Sequence, residues 1–191
     1  MKNGDRFAWL ELENERVLIF DRSIGRFILS DKRGDVNAFL MTAESFTTIT
    51  DEINKLFGTA TPIILQKAGY GAGRSAAKHL VLSDDISTAV KTIFNSVSRW
   101  GFGSYELLEF DPENKFIRFR LHNCVFAVPR NSPNFLNSMQ YLIGFYKGYF
   151  SIMFGIEVDC KETKCLSLGD EYCEFEVKKP VISGSAEWML E

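Results

Sequence analysis

Nowhere in the chain do about 18 apolar residues run together, the length a helix needs to cross a bilayer. The opening MKNGDRFAWL carries no signal-peptide core, so the sequence predicts a soluble, cytoplasmic protein. No basic excess exists either: the net charge is −3, which gives no overall attraction to nucleic acid or to an anionic membrane surface. Cysteine is sparse, with four in 191 residues. Without an export signal, and with three of the four crowded into Cys160 to Phe175, they point to metal or redox use rather than to disulfides.

Motifs of nucleotide chemistry are missing as well. Gly69-Tyr70-Gly71-Ala72-Gly73 fails the dinucleotide fingerprint, because Arg74 stands at the third glycine position and no strand precedes it. It also lacks the Lys-Ser/Thr of a phosphate loop. Gly69, Gly73, Ala72 and Ala76 instead form a small-residue face that another backbone or a ligand can approach. His122 neighbours Cys124, but no Ser, Asp or Glu beside them completes a triad, so both are read as ordinary structural groups. The segment before Arg26 is too short for a winged helix-turn-helix, and neither repeats nor low-complexity stretches occur.

What is present is one domain's worth of ordinary globular sequence, 46% apolar and 25% charged. Its seventeen phenylalanines can fill a core or wall an apolar pocket. Phe7–Leu12, Val17–Phe20 and Arg26–Leu29 read as strands. Helices are predicted from Thr42 to Phe57, from near Pro62 to Leu80, and from Asp84 to Trp100, the last with Ser83 as N-cap. A hairpin then turns at Asp111-Pro112-Glu113-Asn114, and the alternation of Ile117, Phe119 and Leu121 buries one face of its second strand. Ser132-Pro133 is predicted to open the longest helix, which ends at Gly155 and carries Met139, Leu142, Tyr146 and Phe150. Cys173, Phe175 and Val177 point inward from a last strand.

The chemistry concentrates in CKETKCLSLGDEYCEF, where Glu162, Cys165 and Cys173 make a Glu-x2-Cys-x7-Cys pattern. Thiolate and carboxylate both suit Zn²⁺, and the Gly169 turn can fold two cysteines onto one ion. A closed structural site takes four donors. Cys160, two residues before Glu162 and on the same side of an extended stretch, is one candidate for the fourth. Cys124 is another if its strand ends nearby, and a water ligand or thiols that respond to redox state are the alternatives.

At Glu162, Cys165, Gly169-Asp170, Cys173 and Phe175 the sequence resembles the 4-vinyl reductase domain family, from about Arg26 to Val177. The resemblance implies an α+β fold, a mainly antiparallel sheet packed with helices, shared with vesicle-tethering subunits and of the nitric-oxide-signalling and Golgi-transport type. It implies the boundaries 1–25 for an N-terminal strand extension, 26–179 for the ligand-binding domain and 180–191 for a tail. In zinc-containing sensor relatives a further cysteine lies upstream, at the position held here by Met139, whose thioether is a poor zinc ligand.

The expected function is a non-enzymatic sensor or carrier that binds a small hydrophobic or aromatic molecule. Its pocket is expected between the helices around Gly69–Leu80 and Phe135–Phe150, with Trp100, Phe102, Phe119, Tyr146 and Phe150 at the ligand. Zinc at Glu162, Cys165 and Cys173, with Cys160 as the fourth donor, would be structural. The partners expected are a second copy of the chain or a separate signalling protein. The competing readings are an assembly module with a filled core, a thiol redox sensor, or an accessory protein of tetrapyrrole synthesis.

Overall fold

The computed structural model describes residues 6–12, 16–31, 34–80, 85–98, 101–127, 137 and 139–180. Among the described residues, two antiparallel sheets of four strands organise the fold, with three helices between them in sequence and a fourth inside the second. The first sheet is a meander of β1 (Arg6–Leu12), β2 (Arg16–Asp21), β3 (Arg26–Asp31) and β4 (Gly34–Ala38). β2 and β3 pair in register from Val17↔Ser30 to Asp21↔Arg26, so residues on both sides of position 25 belong to one sheet. β4 escapes the sequence reading because Gly34-Asp35-Val36-Asn37-Ala38 carries little of the apolar alternation that marks a strand.

Thr42 caps α1 (Ala43–Phe57), its hydroxyl accepting from the Ser45 N–H at 3.1 Å, and Gly58 stops it at a positive φ. After one 3-10 turn, α2 runs from Thr61 to Leu80. At 20 residues it is longer than the helix over 140–154, which corrects the expected order of lengths. α3 (Ile86–Ser98) is capped by Asp85, whose carboxylate accepts from the Thr88 N–H at 2.9 Å. The predicted cap Ser83 lies outside the described residues, as do the expected helix start at Ser132-Pro133 and the tail after Pro180.

The second sheet has the order β5 (Ser104–Asp111), β6 (Phe116–His122), β8 (Cys173–Lys178), β7 (Asp159–Lys164). Its inner face is made by register: Ile117↔Val177, Phe119↔Phe175 and Leu121↔Cys173 stand side by side, all six fully buried. Its outer face is polar, with Arg120 paired to Glu174 at 3.1 Å and His122 to Glu106 at 3.1 Å. α4 (Gln140–Phe154) lies on the inner face and ends at Gly155, in the left-handed conformation. It is buried on nearly every side because α2 covers its other flank.

Glycine sets the spacing of α2 and α4. A Cβ at Gly73 would stand 2.0 Å from the Phe145 carbonyl oxygen, and one at Gly148 would stand 2.2 Å from that of Tyr70. Gly69 and Gly144 are equally close to Tyr141 and Gln66. The two backbones therefore touch at these four glycines, so the small residues there are used by helix contact and leave no room for a ligand at those points.

Candidate functional site

Two constellations stand out, an acid–thiol cluster on the β7–β8 turn and an apolar cleft beside the aromatic core. In the first, a bulge between Glu162 and Lys164 ends β7, and a 3-10 turn (Leu166–Leu168) leads back through Gly169 to β8. Gly169 has φ +101°, a conformation that L side chains rarely adopt. The Cys165 N–H donates to Asp170 Oδ2 at 2.8 Å and the Asp170 N–H to the Cys165 carbonyl at 3.2 Å, closing the turn. Leu166 N–H donates to Cys173 Sγ at 3.4 Å.

This turn brings one donor atom from each of Glu162, Cys165 and Cys173 within 4.8 Å of the others. Both cysteines are buried, and Glu162 Oε1 is buried without a hydrogen-bond partner. Burial, followed by the facing Cys165, pushes the Glu162 carboxyl up to about 9. The proton affinity of Cys165 is raised by its contact with Cys173, and that of Cys173 by its contact with Cys124. Anionic donors are turned on one another here, an arrangement that a divalent cation at the centre stabilises. The donor set and the orphaned carboxylate oxygen both fit such an ion.

Cys160 is not in this cluster. It pairs with Val177, four residues along β8 from Cys173, or about 13 Å of strand. Its side chain packs against the core, and burial, followed by the neighbouring Glu162 carboxylate, raises its proton affinity. Cys124, left open as an alternative by the sequence, lies in contact with Cys173 instead.

The expected ligand residues divide. Trp100 lies outside the described residues. Phe119, Tyr146 and Phe150 gather in one buried aromatic cluster with Phe94, Tyr105 and Phe175. Within it the Tyr105 and Tyr146 hydroxyls are 2.7 Å apart, and burial raises the proton affinity of both. Phe102 faces elsewhere, into a cleft of about 670 Å³.

That cleft lies where β2 and β3 meet the start of α1 and the loops at 101–102 and 125–126. Leu18, Phe27 and Leu29 form one wall, and Phe46, Phe102, Phe126 and Tyr141 the other. The second wall is a set of edge-on ring contacts, Phe126 lying 5.0 Å from both Phe46 and Phe102. Phe39, Leu40 and Met41 edge the cleft and are exposed, so its mouth opens to solvent. Phe145 bridges the cleft to the core, touching Phe102 at 6.3 Å and Tyr146 at 5.9 Å. Sequence reasoning missed Phe126 and Tyr141. Phe126 sits in a loop with no periodicity to flag it, and Tyr141 looks like any residue of an apolar helix.

Residues 140–179 match the family model of the 4-vinyl reductase domain. The match runs from α4 through β8 and takes in Glu162, Cys165 and Cys173, so the resemblance to that family holds where the sequence is most specific. The fold is similar to the phenol-responsive sensory domain of the transcription activator PoxR with phenol: TM-score 0.67, 15% identity, 85% of this chain and 84% of that one. It is also similar to trafficking protein particle complex subunit 3 from Naegleria fowleri covalently bound to palmitic acid: TM-score 0.58, 17% identity, 71% and 91% covered. A third likeness is to an H-NOX protein from S. oneidensis in the Fe(II)NO state: TM-score 0.50, 14% identity, 78% and 82% covered. At these identities the likeness is one of fold, and it bears out the α+β assignment. No curated protein matches the sequence. Among the described residues, no helix is long and apolar enough to cross a membrane.

Proposed function

We propose that this chain is a sensor or carrier domain that binds a small, uncharged hydrophobic molecule in the cleft behind Phe102 and Phe126. The observation that carries the reading is the cleft itself. Its volume of about 670 Å³ falls in the range of small-ligand sites, roughly 300–1,000 Å³. Its lining is apolar apart from Asn37, Thr42 and the Tyr141 hydroxyl, and among the described residues it contains no charged side chain. Such a lining favours an uncharged ligand and penalises an ionised one, which would lose its hydration without a partner. The fold-mates named above, one with phenol and one with palmitic acid, are in keeping with such a ligand.

The Glu162, Cys165 and Cys173 cluster is read as a structural zinc site that fixes the β7–β8 turn. Redox sensing fits less well: reactive cysteines have lowered proton affinity, whereas Cys165 and Cys173 have it raised. Catalysis fits less well too. The ring of His122 is engaged with Glu106 on the outer face, while Cys124 is buried on the other side of the sheet. We read the protein as a non-enzyme of the cytoplasm, where thiols stay reduced.

One observation favours assembly as a second role. Leu56, Phe57 and Ile63 are exposed around the α1–α2 junction, an apolar surface that suits a second copy or a signalling partner. Light scattering on the purified chain tests this, and a monomer at all concentrations removes the second copy. The main reading is tested by titrating the protein with an uncharged solvatochromic dye such as Nile red. Saturable binding is expected, and it should be lost when Ala38→Trp fills the cleft with the melting temperature preserved. Equal binding to both proteins overturns the site.

A further inference from the structure

The cluster on the β7–β8 turn offers three donors, and a closed structural site takes four. We propose that Cys124 supplies the fourth, so that the metal is held by three thiolates and one carboxylate and ties the end of β6 to the β7–β8 turn. The proposal rests on the metal reading above and goes beyond it in naming the donor that the Met139 position does not provide.

Strand register places Cys124. Leu121 of β6 stands directly beside Cys173 of β8. His122 faces outward to Glu106, and Asn123 then takes a left-handed φ of +53° that turns the chain. Cys124 follows, buried to 6% exposure and next to Cys173; its thiol lies outside the 4.8 Å span of the three triad donors, so closing the shell requires it to turn inward. It is free, as are Cys160, Cys165 and Cys173. Of the two cysteines outside the triad, Cys124 neighbours Cys173, whereas Cys160 lies two strand positions beyond Glu162 and pairs with Val177, four residues along β8 from Cys173.

Two further observations point to a ligand at this spot. Glu162 Oε1 is buried and has no hydrogen-bond partner, which leaves an oxygen available for coordination. Backbone N–H groups of Leu166 and Ser167 donate to the sulfurs of Cys173 and Cys165, the outer-shell bonds that thiolate ligands need when four anions share one ion. Met139 is buried too, but a neutral thioether is a weaker partner for Zn²⁺ than a thiolate.

The consequence reaches the cleft. Cys124 begins the segment whose next two residues, Val125 and Phe126, line it. The Val125 N–H donates to the Phe102 carbonyl at 3.1 Å, and the Ala127 N–H to that of Cys124 at 3.2 Å. A metal held by Cys124 therefore braces one wall of the ligand cleft, which makes metal occupancy and ligand affinity thermodynamically linked.

The test is X-ray absorption at the zinc edge on the zinc-loaded full chain, with cobalt(II) spectra of the wild type, Cys124→Ser and Cys160→Ser. The wild type should show three sulfurs at about 2.3 Å and one lighter ligand. Cys124→Ser should drop to two sulfurs and lose about a third of the thiolate-to-cobalt intensity, while Cys160→Ser changes neither. Met139→Cys in the Cys124→Ser background should restore the third sulfur. A wild-type shell of two sulfurs overturns the role of Cys124 and leaves the metal reading standing, even if Cys124→Ser does not fold. Loss of sulfur in Cys160→Ser instead also overturns it. No uptake of zinc or cobalt by the wild type overturns both.

Discussion

The hydroxyls of Tyr105 and Tyr146 lie 2.7 Å apart inside the aromatic cluster, one from β5 and one from α4, and they join the sheet to the helix that covers it. Removing one hydroxyl leaves the other buried and unpaired, which costs about 1–3 kcal/mol. Tyr146→Phe and Tyr105→Phe should each destabilise by that amount in urea unfolding. The double variant should be less destabilised than the sum of the two, with a coupling of about 0.5–3 kcal/mol. Additive single effects would show that the hydroxyl pair contributes nothing.

Glycine at the helix seam gives a second contrast. Gly73→Ala places a methyl group against the Phe145 carbonyl and should cost at least the 1–3 kcal/mol typical of overpacking. Gly71, two residues away, has nothing within 4 Å of a built Cβ, so Gly71→Ala should stabilise by about 0.5–1 kcal/mol through helix propensity. Thermal melts of the two variants should move in opposite directions. A shift of the same sign in both would contradict the backbone contact of α2 and α4.

These contrasts mark what was legible in the sequence. The small-residue face of Gly69, Ala72, Gly73 and Ala76 was visible as spacing, but spacing does not say whether a backbone or a ligand uses the room. Only the carbonyls of Tyr141 and Phe145 decide that, and they come from the partner helix. The strands that alternate strictly, Ile117-Phe119-Leu121 and Cys173-Phe175-Val177, were readable because one face is wholly buried. The Glu162, Cys165 and Cys173 triad was readable because a single turn assembles it. Cys124 was not assignable, since its approach depends on the pairing of Leu121 with Cys173 and on the turn at Asn123. The cleft was hidden for the same reason: its walls come from β2, β3, α1, α4 and two loops.

Metal removal should weaken fold and cleft together. Cys165→Ser and Cys173→Ser should each lower zinc content and melting temperature, because metal binding is linked to folding. Stripping the wild type with a chelator should weaken dye binding as well, by roughly 5-fold or more if coupling is of ordinary size. Restoring zinc should reverse the change. Retention of zinc by both variants, or identical dye affinity with and without metal, would contradict the linkage.

Truncation of the cleft wall separates cleft from core. Phe126→Ala removes the ring that holds both Phe46 and Phe102 at 5.0 Å, and should weaken dye binding at least tenfold. Phe150→Leu alters only the buried cluster, so it should lower stability by about 1–3 kcal/mol and leave the dye affinity within twofold. The reverse pattern would move the ligand into the core.

Where the ligand sits is most directly read by photolabelling. An uncharged alkyl or aryl diazirine, irradiated with the native protein and mapped by peptide mass spectrometry, should label Ala38–Phe46, Phe102, Val125–Phe126 and Tyr141. Labelling should saturate and be blocked by excess unlabelled dye. Saturable labelling of Phe119, Tyr146 or Phe150 instead, or labelling that never saturates, would contradict a ligand cleft between the first sheet and the Phe102–Phe126 wall.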